Sequence, residues 1–93
     1  MSSPRFDGFI FDELNEEKFA EHGVTARQVA FVLYESEFAL RRNRNQRSGL
    51  YLAIGWDQSG LCIAIPLRRT AEPNVWRPVT AWLCKEWEER LLR

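Results

Sequence analysis

Ninety-three residues, 45% of them hydrophobic and 28% charged, suffice for one modest core and not for two, so a single domain over residues 1–93 is expected. The net charge of zero hides a dipole: residues 1–40 hold eight acids and three bases and residues 41–77 hold seven bases and two acids, which suits an anionic partner on one side. His22 is the only histidine, and Cys62 and Cys84 lack CxxC spacing, which argues against a zinc site or a disulfide framework and predicts buried free thiols, with no metal and no cofactor.

In chain order, MSSPRFDG has neither the charged nor the apolar region of a signal peptide, and no apolar run approaches the roughly 18 residues of a membrane span. A cytoplasmic protein without membrane attachment is therefore expected. RFDGFIF reads as a short first strand. Asp12 is placed to cap a helix through ELNEEKFAEH, with Gly23 in the left-handed position after it. Thr25 and Gln28 have the spacing of a capping box, with Val24 and Val29 as its hydrophobic staple, so a second helix starts at Thr25. Its buried face is predicted as Val29, Val32, Leu33 and Ser36.

From Phe38 the pattern changes to alternation. FALRRNR, LYLAIGWD, LCIAIPLRR and VWRPVTAW read as four strands, separated by the turns NQRSG, DQSG and TAEPN. Short connections predict an antiparallel meander. Leu50, Leu52, Ile54 and Trp56 share one face of their strand, and Leu61, Ile63, Ile65 and Leu67 share one face of theirs; both sets are expected in the core. In VWRPVTAW, Arg77 alternates with Trp76, Thr80 and Trp82, and Pro78 argues for an edge position or a bulge. In LCKEWEERLLR, the steps of four from Leu83 to Trp87 to Leu91 predict a closing helix that packs back on that stripe. The expected fold is α+β, ordered β-α-α-β-β-β-β-α, with helices against an antiparallel sheet.

Several stretches resemble one family. FIFDELNEEKFAEHGVTARQVAFVL is similar to the opening of BrnT-type toxins, YLAIGWD to their strand ending in Ile-Gly, and WRPVTAW with the acidic helix after it to their last strand and closing helix. The resemblance runs from about Phe9 to Arg90, and the matching positions are His22, Gly23, Tyr51, Ile54, Gly55, Arg77, Thr80 and Glu88. It implies a RelE-like fold, metal-independent RNA cleavage as the toxin of a type II toxin–antitoxin system, and a cognate antitoxin partner in a homo- or hetero-oligomer. The chain departs from the family at Leu50, Trp56 and Trp82, where arginines usually stand, and at Leu92, where a tyrosine does. Either the basic work has moved to other arginines, or the chain is an inactive relative that binds a protein or regulates.

RNA cleavage without metal needs a base for the 2′-hydroxyl and cations for the charge growing on phosphoryl oxygens. On the toxin reading the catalytic set is Arg77, Arg68, Tyr51 and His22, and the RNA-binding set is Arg41, Arg42, Arg44, Arg47 and Arg69. Each has an ordinary alternative. For Arg77 the alternative is a structural ion pair with an acid such as Glu88, for the arginine run it is a solvated hairpin, and His22 suits a helix end facing the last carbonyls. Tyr51, Trp56 and Trp76 are candidate stacking surfaces, Trp82 is open to either role, and Trp87 is assigned to the core.

Overall fold

In the computed structural model, which describes residues 4–44 and 49–93, two local caps organise the first half of the chain. Helix α1 spans Glu13–Glu21 and α2 spans Ala26–Glu35. Asp12 Oδ1 accepts from the Asn15 N–H at 3.1 Å, and Asn15 Oδ1 accepts from the Asp12 N–H at 3.0 Å, which satisfies donors that α1 itself leaves open. Past the end of α1, Gly23 has a φ of 73°, a left-handed conformation that costs glycine little. Thr25 and Gln28 repeat the reciprocal cap at α2, with Val24 and Val29 both buried in one cluster.

Gln28 does more than cap. Its Nε2 donates to Asp57 Oδ2 at 2.9 Å, tying the start of α2 to a turn between strands. Asp57 is buried, and its Oδ1 accepts from the Ser59 and Leu61 N–H groups, both at 2.8 Å. Burial pushes its carboxyl up, but the hydrogen bonds from Gln28, Leu61, Ser59 and Gly60 outweigh this and hold it below the ordinary value.

Among the described residues, six strands form one sheet: β1 (Gly8–Phe9), β2 (Ala39–Arg42), β3 (Tyr51–Trp56), β4 (Cys62–Arg69), β5 (Val75–Pro78) and β6 (Trp82–Leu83). The order is β1-β5-β4-β3-β2, with β6 also on β4. The meander from β2 to β5 is antiparallel, as alternation and short turns predict. β1 instead runs parallel to β5, with Gly8 opposite Val75 and Phe9 opposite Trp76. The fold is α+β with a mixed sheet, not an antiparallel one throughout, because the first strand meets its partner only after a long excursion through both helices and the meander. The predicted turn NQRSG lies outside the described residues except for Gly49.

The two apolar sets expected to share the core lie on opposite faces. Tyr51, Ala53 and Gly55 stand across from Leu67, Ile65 and Ile63, and the face they make packs with Phe19, Val29, Val32, Leu33 and Trp76. Leu52 and Ile54 stand across from Pro66 and Ala64 and form a second, smaller cluster with Cys62, flanked by Trp56, Trp82, Cys84 and Leu92. Directly opposed residues share a face, so the register, not the alternation, decides which sets meet. Leu50 packs with the helix-side cluster, and Leu61 is exposed. On the helix side α2 comes so close that a Cβ on Gly55 would lie 2.8 Å from Val32 Cγ1 and 2.9 Å from Ser36 Oγ.

The C-terminal third departs most from expectation. The predicted strand 75–82 breaks after Pro78. β4 pairs Leu67 with Pro78 and then Ala64 with Trp82, so the β5–β6 side carries one residue more than β4 over this interval. That extra residue is a bulge, at a proline that has no N–H to give. It resets the alternation: Trp82, opposite Ala64, shares a face with Arg77, opposite Arg68, whereas Trp76 is buried on the helix side.

Cys62 and Cys84 form a disulfide across 22 residues, which corrects the expectation of free thiols. Their pairing follows from β6 lying on β4, a neighbourhood that spacing along the chain does not reveal. The closing helix α3 is short, Glu86–Glu89, and is followed by a 3-10 turn, Arg90–Leu92. Leu83, Trp87 and Leu91 are 49%, 46% and 43% exposed, so their stripe faces out rather than into the core. Glu88 turns inward instead, because its carboxylate caps its own helix: Oε1 accepts from the Lys85 N–H at 2.7 Å, and the Trp82 Nε1–H donates to Oε1 at 3.1 Å and to Oε2 at 3.2 Å. No described helix is long and apolar enough to cross a membrane.

Candidate nucleic-acid interface

β2 is an edge strand with two arginines, and α3 lies over the sheet face that Arg41 shares with its partner Leu52. Between them is a cleft of about 420 Å³ lined by Arg41, Arg42, Asn43 and Arg44 on the strand side, Lys85, Trp87 and Glu88 on the helix side, and Leu52 and Trp82. This volume falls within the range of small-ligand sites. A second depression of about 370 Å³ continues along the same arginines toward Ile54 and Leu91.

Among the described residues, four cations thus line one cleft with two indoles. Arg41 is held by Trp87, its Cζ 5.4 Å from the ring centroid. Such a contact is worth roughly 0.5–1 kcal/mol at an exposed site. It bridges the two walls. Glu88 is buried, and its oxygens are engaged by Trp82 and Lys85, so the one carboxylate lining the cleft serves the helix before any ligand. The chemistry on offer is contact with anionic oxygens beside flat apolar surfaces, the combination that single-stranded nucleic acid asks of a protein.

The four predicted catalytic residues do not meet. Arg77 is bound to Asp12, with Nη1 2.6 Å from Oδ2 and Nη2 2.7 Å from Oδ1, a two-pronged pair that corrects Glu88 as its expected acid. The Arg77 guanidinium holds the Asp12 carboxyl at about 2, helped by the Asn15 N–H, and Asp12 in turn raises the Arg77 value. Arg68 is exposed across the strand pair from Arg77. Tyr51 lies on the opposite face, its ring 5.5 Å from that of Trp76. His22 closes α1, its ring 6.4 Å from that of Trp82. None of the four lines the cleft.

Of the predicted RNA-binding residues, Arg41, Arg42 and Arg44 are brought together, and Arg47 lies outside the described residues. Arg69 sits on the helix side of the sheet, its Cζ 5.1 Å from the Trp76 centroid. Sequence reasoning missed Lys85 and placed Trp87 in the core. The signal that finds both is the glutamate three residues after Lys85: read as a residue reaching back to cap its helix, Glu88 points in and its neighbour Trp87 points out.

The chain matches none of the protein-family models, the curated proteins or the solved structures with which it was compared.

Proposed function

We propose that the chain binds single-stranded RNA through the arginine–tryptophan cleft, as a divergent BrnT-type member of a toxin–antitoxin pair. The observation that supports this is the convergence of Arg41, Arg42, Arg44 and Lys85 with Trp82 and Trp87 on one cleft. Phosphates take the cations regardless of sequence, and unstacked bases have faces for the indoles. Bases in a duplex are already stacked, so a single strand is the preferred form. The resemblance from Phe9 to Arg90 supplies the toxin–antitoxin context and the antitoxin as protein partner.

The test is fluorescence anisotropy of a labelled single-stranded RNA of about 12 nucleotides, titrated at several salt concentrations. With four phosphate contacts the slope of log affinity against log salt is about −3. Tight binding that is indifferent to salt, or no binding at low salt, would sink the reading.

Cleavage of the bound RNA, the ribonuclease activity of a toxin, is a second reading. It is favoured by Glu88, a carboxylate beside the cleft's cations that could take the proton of a 2′-hydroxyl once displaced from its capping role. Labelled RNA that stays intact with the protein in chelator, and normal growth on verified soluble expression, would remove it and leave RNA binding without catalysis.

A further inference from the structure

The C-terminal segment lends Trp82, Lys85, Trp87 and Glu88 to the cleft, all close in sequence to Cys84. Cys84 is bonded to Cys62 of β4. The remaining hold on this segment is the Arg41–Trp87 contact, buried Ala81 and Glu88, and a few bonds to the sheet. β6 pairs two of its residues with β4, and the Cys84 N–H donates to the Cys62 carbonyl at 2.9 Å. Trp82 and Leu92 touch the small second cluster without being fully buried, while Leu83, Trp87 and Leu91 face solvent. α3 has four residues, far short of a helix that stands by itself. The opposite wall belongs to β2, which pairs with β3 along its whole length and involves neither cysteine. The disulfide therefore clamps one wall of the cleft to the sheet and leaves the other untouched.

We infer that the Cys62–Cys84 disulfide is a redox control on the cleft. Oxidised, it holds Trp82, Lys85 and Trp87 facing the β2 arginines; reduced, it frees residues 82–92 to open locally, and the cleft loses its second wall. The inference rests on the RNA-binding reading of that cleft. Neither cysteine lines the cleft, so the bond governs position and not contact with the ligand.

The switching step is thiol–disulfide exchange with a dithiol reductant. A thiolate of the dithiol attacks the sulfur of Cys84, the more exposed partner, since Cys62 is 8% exposed. The S–S bond breaks, and the Cys62 sulfur leaves with the electron pair. The dithiol's second thiolate attacks its own sulfur in the mixed disulfide, closing the reductant's disulfide and releasing the Cys84 thiolate. Two electrons pass from the dithiol to the cystine, and the two protons the dithiol gave up are taken by the cysteines. The reverse exchange with the reductant's disulfide restores the clamp.

The experiment compares oxidised protein with protein reduced by dithiothreitol, using a fluorescein-labelled single-stranded uridine oligomer of about 12 nucleotides as probe and amide hydrogen exchange as a second readout. Reduction weakens binding about tenfold, the equivalent of one lost base stack, and speeds exchange over residues 82–92 while α2 and β3 stay protected. Reoxidation reverses both. The double variant Cys62→Ser/Cys84→Ser behaves as the reduced protein and no longer responds to dithiothreitol. Should that variant fail to fold, reduction of the unaltered chain carries the test. Equal affinity and equal exchange in the two states overturn the inference. If neither state binds RNA, the RNA reading fails; the clamp is then upheld by faster exchange over 82–92 on reduction and overturned by its absence.

Discussion

Arg77 and Asp12, 65 residues apart, meet in a two-pronged ion pair at 2.6 and 2.7 Å. One carboxylate serves two ends of the fold: it caps α1 through the Asn15 N–H and anchors the strand that pairs with β1. Arg77→Ala should therefore lower the urea midpoint and leave RNA affinity unchanged, since Arg77 does not line the cleft. Arg77→Lys should recover only part of the loss, because an ammonium cannot reproduce the paired donors of a guanidinium. A large drop in RNA affinity at unchanged stability would instead make Arg77 a ligand residue.

The same pair sets a pH dependence. The Asp12 carboxyl, at about 2 in the fold, lies below its ordinary 3.8. A lowered folded value means stability that is present in full above the unfolded value and is lost as pH falls through the folded one. The stability difference between the unaltered chain and Arg77→Ala should hold constant from pH 7 to about 5, shrink between about 4 and 2, and vanish below that. Urea unfolding at each pH measures it, and a difference that persists at the acid end would show that packing, not charge, is what Arg77 supplies.

Gln28 is the hinge between a local signal and a distant one. Gln28→Ala removes half of the α2 capping box and the side-chain donor to buried Asp57. A lost cap and a carboxylate short of one donor together cost about 2 kcal/mol. Thr25→Ala, which leaves the Asp57 contact in place, should cost less. Comparing the two by chemical denaturation separates the cap from the tie.

Gly55→Ala tests the approach of α2 to the sheet. The added methyl would stand 2.8 Å from Val32 Cγ1 and 3.2 Å from Phe38 Cβ in a packed region, so destabilisation of about 1–3 kcal/mol is expected. A neutral result in urea unfolding would mean that the helix can lift off the strand.

Trp87→Ala should weaken single-stranded RNA binding about tenfold, while stability falls by about 1 kcal/mol or less, since the ring is 46% exposed and its contact with Arg41 is a surface one. Arg44→Ala should reduce the salt slope by about 0.7, one phosphate contact on a single strand. Arg69→Ala, on the other side of the sheet, should leave both affinity and slope alone. Equal effects from Arg44 and Arg69 would mean diffuse attraction rather than a site.

Much of the fold is legible along the chain because its causes are local. A cap needs an acceptor and a reciprocal partner three residues on, and both Asp12 and Thr25 with Gln28 do as their positions demand. Strand alternation at 51–56 and 62–69 needs only the pleat, and the arginines at 41, 42 and 44 fall together because they share an edge strand and its end. Tertiary structure decided the rest, and in each case the deciding quantity is an offset between distant segments. The register of β3 on β4 put two apolar sets on opposite faces, and one extra residue after Pro78 turned Trp82 to the side of Arg77. The seating of β6 on β4 joined two cysteines that spacing alone left apart. The stripe of Leu83, Trp87 and Leu91 has helical spacing whichever way the helix faces. Its direction was set by a buried carboxylate whose hydrogen bonds outweigh a modest apolar face, and that choice opened Trp87 and Lys85 to the cleft.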